Sequence, residues 1–196
     1  MRNEKDAWLP EGEWRALQQR IPVPCVDVLP VRKRDGKIEM GLIYRATPHQ
    51  GRRWCLIGGR LRRNESLRAA VIRQVREALG PEVQCVLAAR IQPVLVVEYF
   101  SRRARGSLFD PRQHAIGLTF AAKVRGNIQP TGGALDFRWF TLHQLPKSKC
   151  FGFGQKKVVL DCIRRLSAQE VVTSSKAAVN GRGQKDAAGR TSHSKR

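Results

Sequence analysis

The pattern of apolar and polar residues divides the chain into strands and helices. Two β-like runs, Val23–Val31 and Lys37–Arg45, flank Arg34-Asp35-Gly36-Lys37, in which Asp-Gly favours a hairpin turn. Ser66–Leu79 is the clearest helix, and Gly80-Pro81 ends it. Its apolar positions recur every three or four residues, at Leu67, Val71, Val75 and Ala78. This stripe predicts one buried helix face.

The remaining pattern predicts more strands and two further helices. Glu11–Arg20 is interpreted as a short amphipathic helix, and Lys156–Leu166 as a longer one. Strands are predicted at Trp54–Ile57, Val83–Ala89, Pro93–Phe100, His114–Val124 and Phe137–Phe140, a helical turn at Thr141–Leu145, and loops at Ala46–Arg53 and Ser101–Gln113. The order of elements indicates an α/β domain in which a mixed sheet packs against helices.

Composition supports a folded domain with a basic tail. The chain has 196 residues, of which 41% are hydrophobic, enough to build a core. After about Ser167 the apolar period is lost, and residues 171–196 carry six Lys or Arg against one acid. We therefore predict an N-terminal helical segment over residues 1–20, one domain over 21–167 and a disordered basic tail over 168–196.

Charge limits the classes of partner. The formal charge of +21 attracts anions and predicts nonspecific nucleic-acid contact through the basic surface and the tail. No apolar signal segment follows Met1 and no apolar stretch is long enough to span a bilayer, so we expect a soluble, cytoplasmic protein without a membrane partner. The five cysteines are expected to be reduced.

Candidate chemistry lies where the glycine pair Gly58-Gly59 precedes the helix that carries Glu77. Glycines allow a tight turn that exposes a backbone carbonyl to a ligand. A carboxylate together with such a carbonyl can hold Mg²⁺, which prefers oxygen ligands and retains waters and substrate phosphates. Alternatively, Glu77 could form only an ion pair with Arg73, four residues before it, and bind no metal.

This segment resembles the Nudix box, G-x5-E-x7-R-E-U-x-E-E-x-G-U, where U is apolar. Six positions match in register: Gly59, Glu65, Arg73, Val75, Glu77 and Gly80. Three depart from it, with Gln74 and Ala78 at two glutamate positions and Pro81 at the last apolar position. The match implies a Nudix fold, a mixed β-sheet between helices, with a degenerate box.

The neighbouring sequence is most similar to the GDP-mannose mannosyl hydrolase branch of the Nudix superfamily. The likeness covers roughly residues 12–165 and includes Gly-Gly-Arg at residues 58–60 and Asp-Phe-Arg-Trp at 136–139. It implies Mg²⁺-dependent hydrolysis of a nucleoside diphosphate linked to another moiety, a nucleotide sugar above all, and a homodimer. Glu77 and the carbonyl of Gly58 or Gly59 would hold the metal, and Arg45 and Arg60 would bind the diphosphate.

The catalytic base is left unassigned by this resemblance. Gly133 and Ala134 stand where the branch has its late metal ligand and its histidine base. The substitutes open to the chain are His114, Glu98, Asp110 and Asp136. The same losses favour an alternative, a catalytically inactive Nudix-like domain that binds a nucleotide or nucleotide sugar as a sensor. A third hypothesis is a basic protein associated with nucleic acid.

Overall fold

The structure, a computed structural model, describes residues 9–103 and 106–168. The strands are β1 (Val23–Arg34), β2 (Lys37–Thr47), β3 (Gly51–Cys55), β4 (Ile57–Arg60), β5 (Gln84–Val86), β6 (Leu95–Phe100), β7 (Leu108–Phe109), β8 (Ala115–Arg125) and β9 (Ala134–Thr141). The α-helices are α1 (Glu11–Gln18), α2 (Leu67–Leu79) and α3 (residues 156–168). Short 3₁₀ helices cover Leu142–Gln144, Ser148–Cys150 and Gly152–Gly154. The start of the predicted N-terminal segment and the tail from residue 169 lie outside the described residues.

The long strand β1 organises a mixed sheet. Its first part pairs with β8 in parallel and with β4 in antiparallel orientation, and its last residues pair with β2. The path through the sheet is β3-β2-β1-β8-β6-β7, while β9 adds to β2 and β5 to β8. The predicted α/β architecture is confirmed.

Alternation along β1 separates two cores. Val26 and Val28 pack in the cluster that contains the apolar stripe of α2. Leu29 packs in a second cluster with Val158 and Val159 of α3. Since successive side chains of a strand point to opposite faces, Asp27 lies on the Leu29 face, away from α2.

The helix α2 begins and ends as its sequence predicts. Ser66 precedes it, and the Ser66 hydroxyl accepts a hydrogen bond from the backbone N–H of Ala69 at 3.2 Å. Gly80 follows it with a φ of 104°, a conformation that residues with a Cβ rarely adopt. The predicted apolar stripe is confirmed, because Val71, Val75 and Ala78 are buried.

Three local predictions are wrong. The predicted loop Ala46–Arg53 is mostly strand, because the Thr47 hydroxyl contacts both Gln50 and Gly51 and folds a tight turn between β2 and β3. The predicted strand Val83–Ala89 shortens to β5. The glycine pair is not a loop: Gly58 and Gly59 extend β4 and pair with Asp27 and Val26.

Candidate functional site

A cavity of about 220 Å³ opens on the α3 face of the sheet, and four of the five predicted site residues line it. These four are Arg45, Gly58, Gly59 and Arg60. Trp14 and Gln18 of α1 line its rim, so the N-terminal helix packs over the site. The volume is below the range of about 300–1,000 Å³ typical of pockets that hold a whole ligand.

Asp27 lies in this cavity as a buried carboxylate. Its residue is only 7% exposed, and its Oδ2 accepts a hydrogen bond from the Tyr99 hydroxyl at 3.2 Å. Gln155 in turn donates to that hydroxyl at 3.2 Å and accepts from the backbone N–H of Leu56 at 2.9 Å. Burial raises the pKa of Asp27 to about 6, against hydrogen bonding from Tyr99 and the charge of Arg45. Burial, with Asp27 beside it, raises the pKa of Tyr99 well above its usual value, so the phenol remains the donor.

The glycine pair makes room for two polar side chains. A Cβ on Gly58 would overlap Oδ1 of Asp27, and one on Gly59 would come within 2.7 Å of the Gln74 amide. The two glycines therefore face opposite sides of the sheet, Gly58 toward the cavity and Gly59 toward α2. Close packing therefore explains why glycine stands at both positions, and no ligand is needed to explain it.

The two predicted phosphate-binding arginines reach the cavity from different strands. Arg45 lies at a bulge in the pairing of β2 with β9. The guanidinium of Arg60 lies 3.8 Å from the ring centre of Trp14, in a cation–π contact. Burial lowers the pKa of Arg60, which still remains charged at neutral pH. A desolvated guanidinium attracts a phosphate more strongly than an exposed one does.

The acids of the box helix form ion pairs instead of lining the cavity. Arg73 binds Glu65 through Nε at 2.6 Å and Nη2 at 2.8 Å, and its Nη1 lies 3.1 Å from Glu77. Arg62 contacts the other Glu77 oxygen at 3.1 Å. Partial burial favours neutral Glu65, but hydrogen bonds from Arg73 and the Arg62 N–H outweigh it and hold the pKa of Glu65 below its usual value. Glu77 is not among the residues that line the cavity.

The described side chains form no ready-made magnesium site, and the predicted pair of Glu77 with a glycine carbonyl stays a prediction. Across residues 9–103 and 106–168, no three His, Cys, Asp or Glu side chains cluster closely enough to hold a metal ion. The Glu77 carboxylate already contacts two guanidinium groups, while Gly58 and Gly59 lie in β4, which pairs with β1 along one edge. Gln74 and Ala78, at glutamate positions of the box pattern, are largely buried. We therefore derive no chemical step through a metal.

Two of the four substitute bases, Asp110 and Asp136, are paired with an arginine. Arg112 binds Asp110 through two nitrogens at 2.9 and 2.7 Å. Asp136 accepts from Arg138 and from the backbone N–H of Phe137. Glu98 and His114 lie 3.4 Å apart. Only Asp110 of the four lines the cavity.

Sequence reasoning missed Asp27, although a signal was present. The acid stands in an otherwise apolar run, Cys-Val-Asp-Val-Leu, over residues 25–29. A carboxylate in such a run must be buried, and a buried acid requires polar partners. Those partners, Tyr99 and Gln155, are distant in sequence and are brought to it only by folding.

The thiols of the site are inert, as expected of small apolar side chains. Burial raises the pKa of Cys25 to about 12, with the Asp27 charge adding to the effect. Burial likewise raises the pKa of Cys55 to about 11. All five cysteines are free. Thiolate nucleophiles are therefore scarce at neutral pH.

The mixed sheet between helices is the Nudix fold, as comparison with solved structures establishes. A structure from Jonesia denitrificans DSM 20603, described as "posible asymmetric diadenosine tetraphosphate (Ap(4)A) hydrolases", is 29% identical, with a TM-score of 0.68 over 74% of this chain and 95% of that one. A MutT NUDIX hydrolase from Burkholderia pseudomallei is 25% identical, with a TM-score of 0.50 over 65% and 89%.

A third neighbour is the NUDIX domain of Shewanella oneidensis NrtR complexed with ADP ribose. It is 20% identical, with a TM-score of 0.54 over 81% of this chain and 99% of that one, a likeness in fold alone. Among curated proteins no sequence matches this chain.

A family model covers most of the chain. The model described as "Domain of unknown function (DUF4916)" matches residues 4–163. The protein therefore belongs to this family.

No helix within the described residues is long and apolar enough to cross a bilayer.

Proposed function

We propose that the protein binds a nucleoside diphosphate derivative in the cavity and hydrolyses it, with a nucleotide sugar as the substrate class. The observation that carries the proposal is that Arg45 and Arg60 line one cavity of a Nudix fold. Hydrolase neighbours at 29% and 25% identity support the reaction class. The sequence resemblance to the GDP-mannose mannosyl hydrolase branch supports the sugar.

Arginine supplies the charge that this reaction needs. As water attacks and the bond to the diphosphate breaks, negative charge grows on the leaving oxygen. Guanidinium groups of Arg45 and Arg60 would stabilise that charge through charge-assisted hydrogen bonds. Trp14 holds the Arg60 guanidinium in place from the rim, which reduces the entropy lost on binding.

A second candidate function is metal-independent binding without turnover. The observation that favours it is the pairing of Glu77 with Arg62 and Arg73, together with glutamine and alanine at residues 74 and 78. A domain of this kind would act as a sensor of a nucleotide or nucleotide sugar.

Calorimetry and product analysis separate the two functions. The full chain is titrated with a nucleoside diphosphate, with Mg²⁺ or with chelator, and is then incubated with a panel of nucleotide sugars. We expect Arg45→Ala and Arg60→Ala each to weaken diphosphate binding about tenfold or more, and Arg63→Ala, an exposed neighbour, to leave it unchanged. Equal losses of affinity in all three variants would refute the assignment of Arg45 and Arg60 as diphosphate-binding residues.

Product formation decides between catalysis and sensing. Release of free sugar and nucleoside diphosphate supports the hydrolase, and tight binding without product supports the sensor. If turnover needs Mg²⁺ and Glu77→Gln abolishes it, Glu77 holds the metal despite its ion pairs. Turnover that survives Glu77→Gln contradicts the metal role predicted for that residue.

A further inference from the structure

A second, larger groove lies along strands β3, β2 and β9, beside the 3₁₀ helix Ser148–Cys150. Its volume is about 470 Å³. We call it the outer groove; it is lined by Tyr44, Arg52, Arg53, Trp54, Asp136, Arg138, Lys149 and Cys150. None of these residues lines the cavity of the proposed active site. The two sites are therefore separate.

Strand register places two aromatic rings in a row along the groove. Asp136 of β9, Tyr44 of β2 and Trp54 of β3 are direct cross-strand partners. The rings of Tyr44 and Trp54 lie 5.1 Å apart between centroids at 44°. Both side chains are half-buried, so each keeps part of its surface in the groove. The exposed parts of these two rings offer surfaces on which nucleobases can stack.

Positive charge surrounds the row. Four cationic side chains face one carboxylate, and that carboxylate, Asp136, is already paired with Arg138 at 2.8 Å. Arg52, Arg53 and Lys149 make no ion pair with any acid in the described part of the chain. Phosphate oxygens would complement these three charges.

We propose that the outer groove binds single-stranded nucleic acid. Aromatic rings flanked by unpaired cations suit an unstacked base with phosphates on either side. A buried duplex base could not reach the rings, because it is stacked within its own helix. Binding in this groove differs from the nonspecific attraction expected of the overall charge, because it depends on the particular arginines that line the groove.

Fluorescence anisotropy with a labelled 12-residue oligothymidylate tests the groove in the full chain. We expect Arg52→Ala to weaken binding and to reduce the slope of log affinity against log salt by about 0.7, the value for one single-strand phosphate contact. The matched control is Arg90→Ala, an exposed arginine outside the groove, which should change the slope little. Tyr44→Leu should weaken binding about fivefold or more at an unchanged slope, because it removes a stacking surface and no charge.

Several results would overturn the proposal. Equal effects of Arg52→Ala and Arg90→Ala would mean that only general charge attracts the strand. Unchanged affinity in Tyr44→Leu, with native circular dichroism, would exclude stacking. If a mononucleotide displaced the labelled strand at the same concentration as the unlabelled oligomer does, the groove would be a nucleotide site instead. Arg60→Ala should leave oligonucleotide affinity intact, so a failed active-site proposal remains distinguishable.

Discussion

The two sides of the Gly58-Gly59 pair each hold a largely buried carboxylate, and the two carboxylates lie in opposite electrostatic environments. On the α2 side, Glu65 is neutralised by the two-nitrogen contact of Arg73, and its pKa falls. On the cavity side, Asp27 forms no ion pair and accepts a hydrogen bond from the neutral Tyr99 hydroxyl, and burial raises its pKa to about 6 against the charge of Arg45. Charge pairing therefore stabilises the first side, whereas the second side holds an acid that destabilises the fold when ionised.

This contrast predicts that the α2 side serves structure and makes the cavity side the candidate for chemistry. Arg73 also donates to the backbone oxygen of Arg60 at 3.0 Å, so the ion-pair cluster ties α2 to the end of β4. Buried acids whose pKa is strongly shifted concentrate at functional sites. The α2 side, which the sequence predicts to hold the metal, has its carboxylates paired with arginines. The cavity side, lined by Arg45 and Arg60, holds the carboxylate with the raised pKa.

The largest effect is expected from Arg73→Leu. It would leave Glu65, whose side chain is 10% exposed, without its cation, and should lower the free energy of unfolding by about 3 kcal/mol. The matched control is Arg15→Leu, which removes an exposed pair with Glu11 and should cost about 0.5 kcal/mol or less. Urea unfolding measures both, and equal losses would contradict the structural role of Arg73.

The pH dependence of stability should depend on Asp27. Because the pKa of Asp27 is about 6 in the folded protein against 3.8 ordinarily, the folded protein keeps a proton between these values that the unfolded chain has released. Stability should therefore fall as pH rises from about 4 to about 6, by at most about 1.4 kcal/mol per pH unit from this group.

Asp27→Asn tests this assignment, since asparagine has no proton to lose. Unfolding free energies of the variant and the wild type are compared at pH 4, 5, 6 and 7. The difference should move in favour of the variant up to about pH 6 and then level off. Parallel curves for the two proteins would show that Asp27 is not buried as described.

A smaller loss is expected from Gly58→Ala. The added Cβ would overlap Asp27 and approach the backbone oxygen of Val26 to 2.6 Å, so the free energy of unfolding should fall by about 1–3 kcal/mol. Gly12→Ala is the control, because Gly12 lies in α1 with open space around its Cβ position. It should be neutral or slightly stabilising. Chemical denaturation distinguishes the two, and equal stabilities would refute the packing explanation for the glycine.

The smallest effect on stability is expected from Glu77→Gln. The Glu77 side chain is 48% exposed, so its contacts with Arg62 and Arg73 should together contribute less than about 1 kcal/mol. Thermal unfolding at low and high salt measures the change. A loss as large as that in Arg73→Leu would mean that Glu77, and not Glu65, anchors the cluster.

Local order was predictable from sequence wherever one physical rule decided it. The spacing of apolar residues in α2, its Ser66 start and its Gly80 end are all local properties, and each is confirmed. The hairpin at Asp35-Gly36 is also local, since both residues adopt positive φ. The turn after Thr47 was missed because a single hydroxyl, with no periodic signal, folds it.

By itself the sequence determined the helices, most strands, the excess of positive charge and the likeness to a Nudix box. Only the tertiary structure decided that Arg45 and Arg60 share a cavity with Asp27, and that Glu77 lies outside it. The physical reason is that a strand's two faces lead to different neighbours. Adjacent residues such as Gly58 and Gly59 therefore serve different sites, and which strand lies beside them is set by long-range pairing.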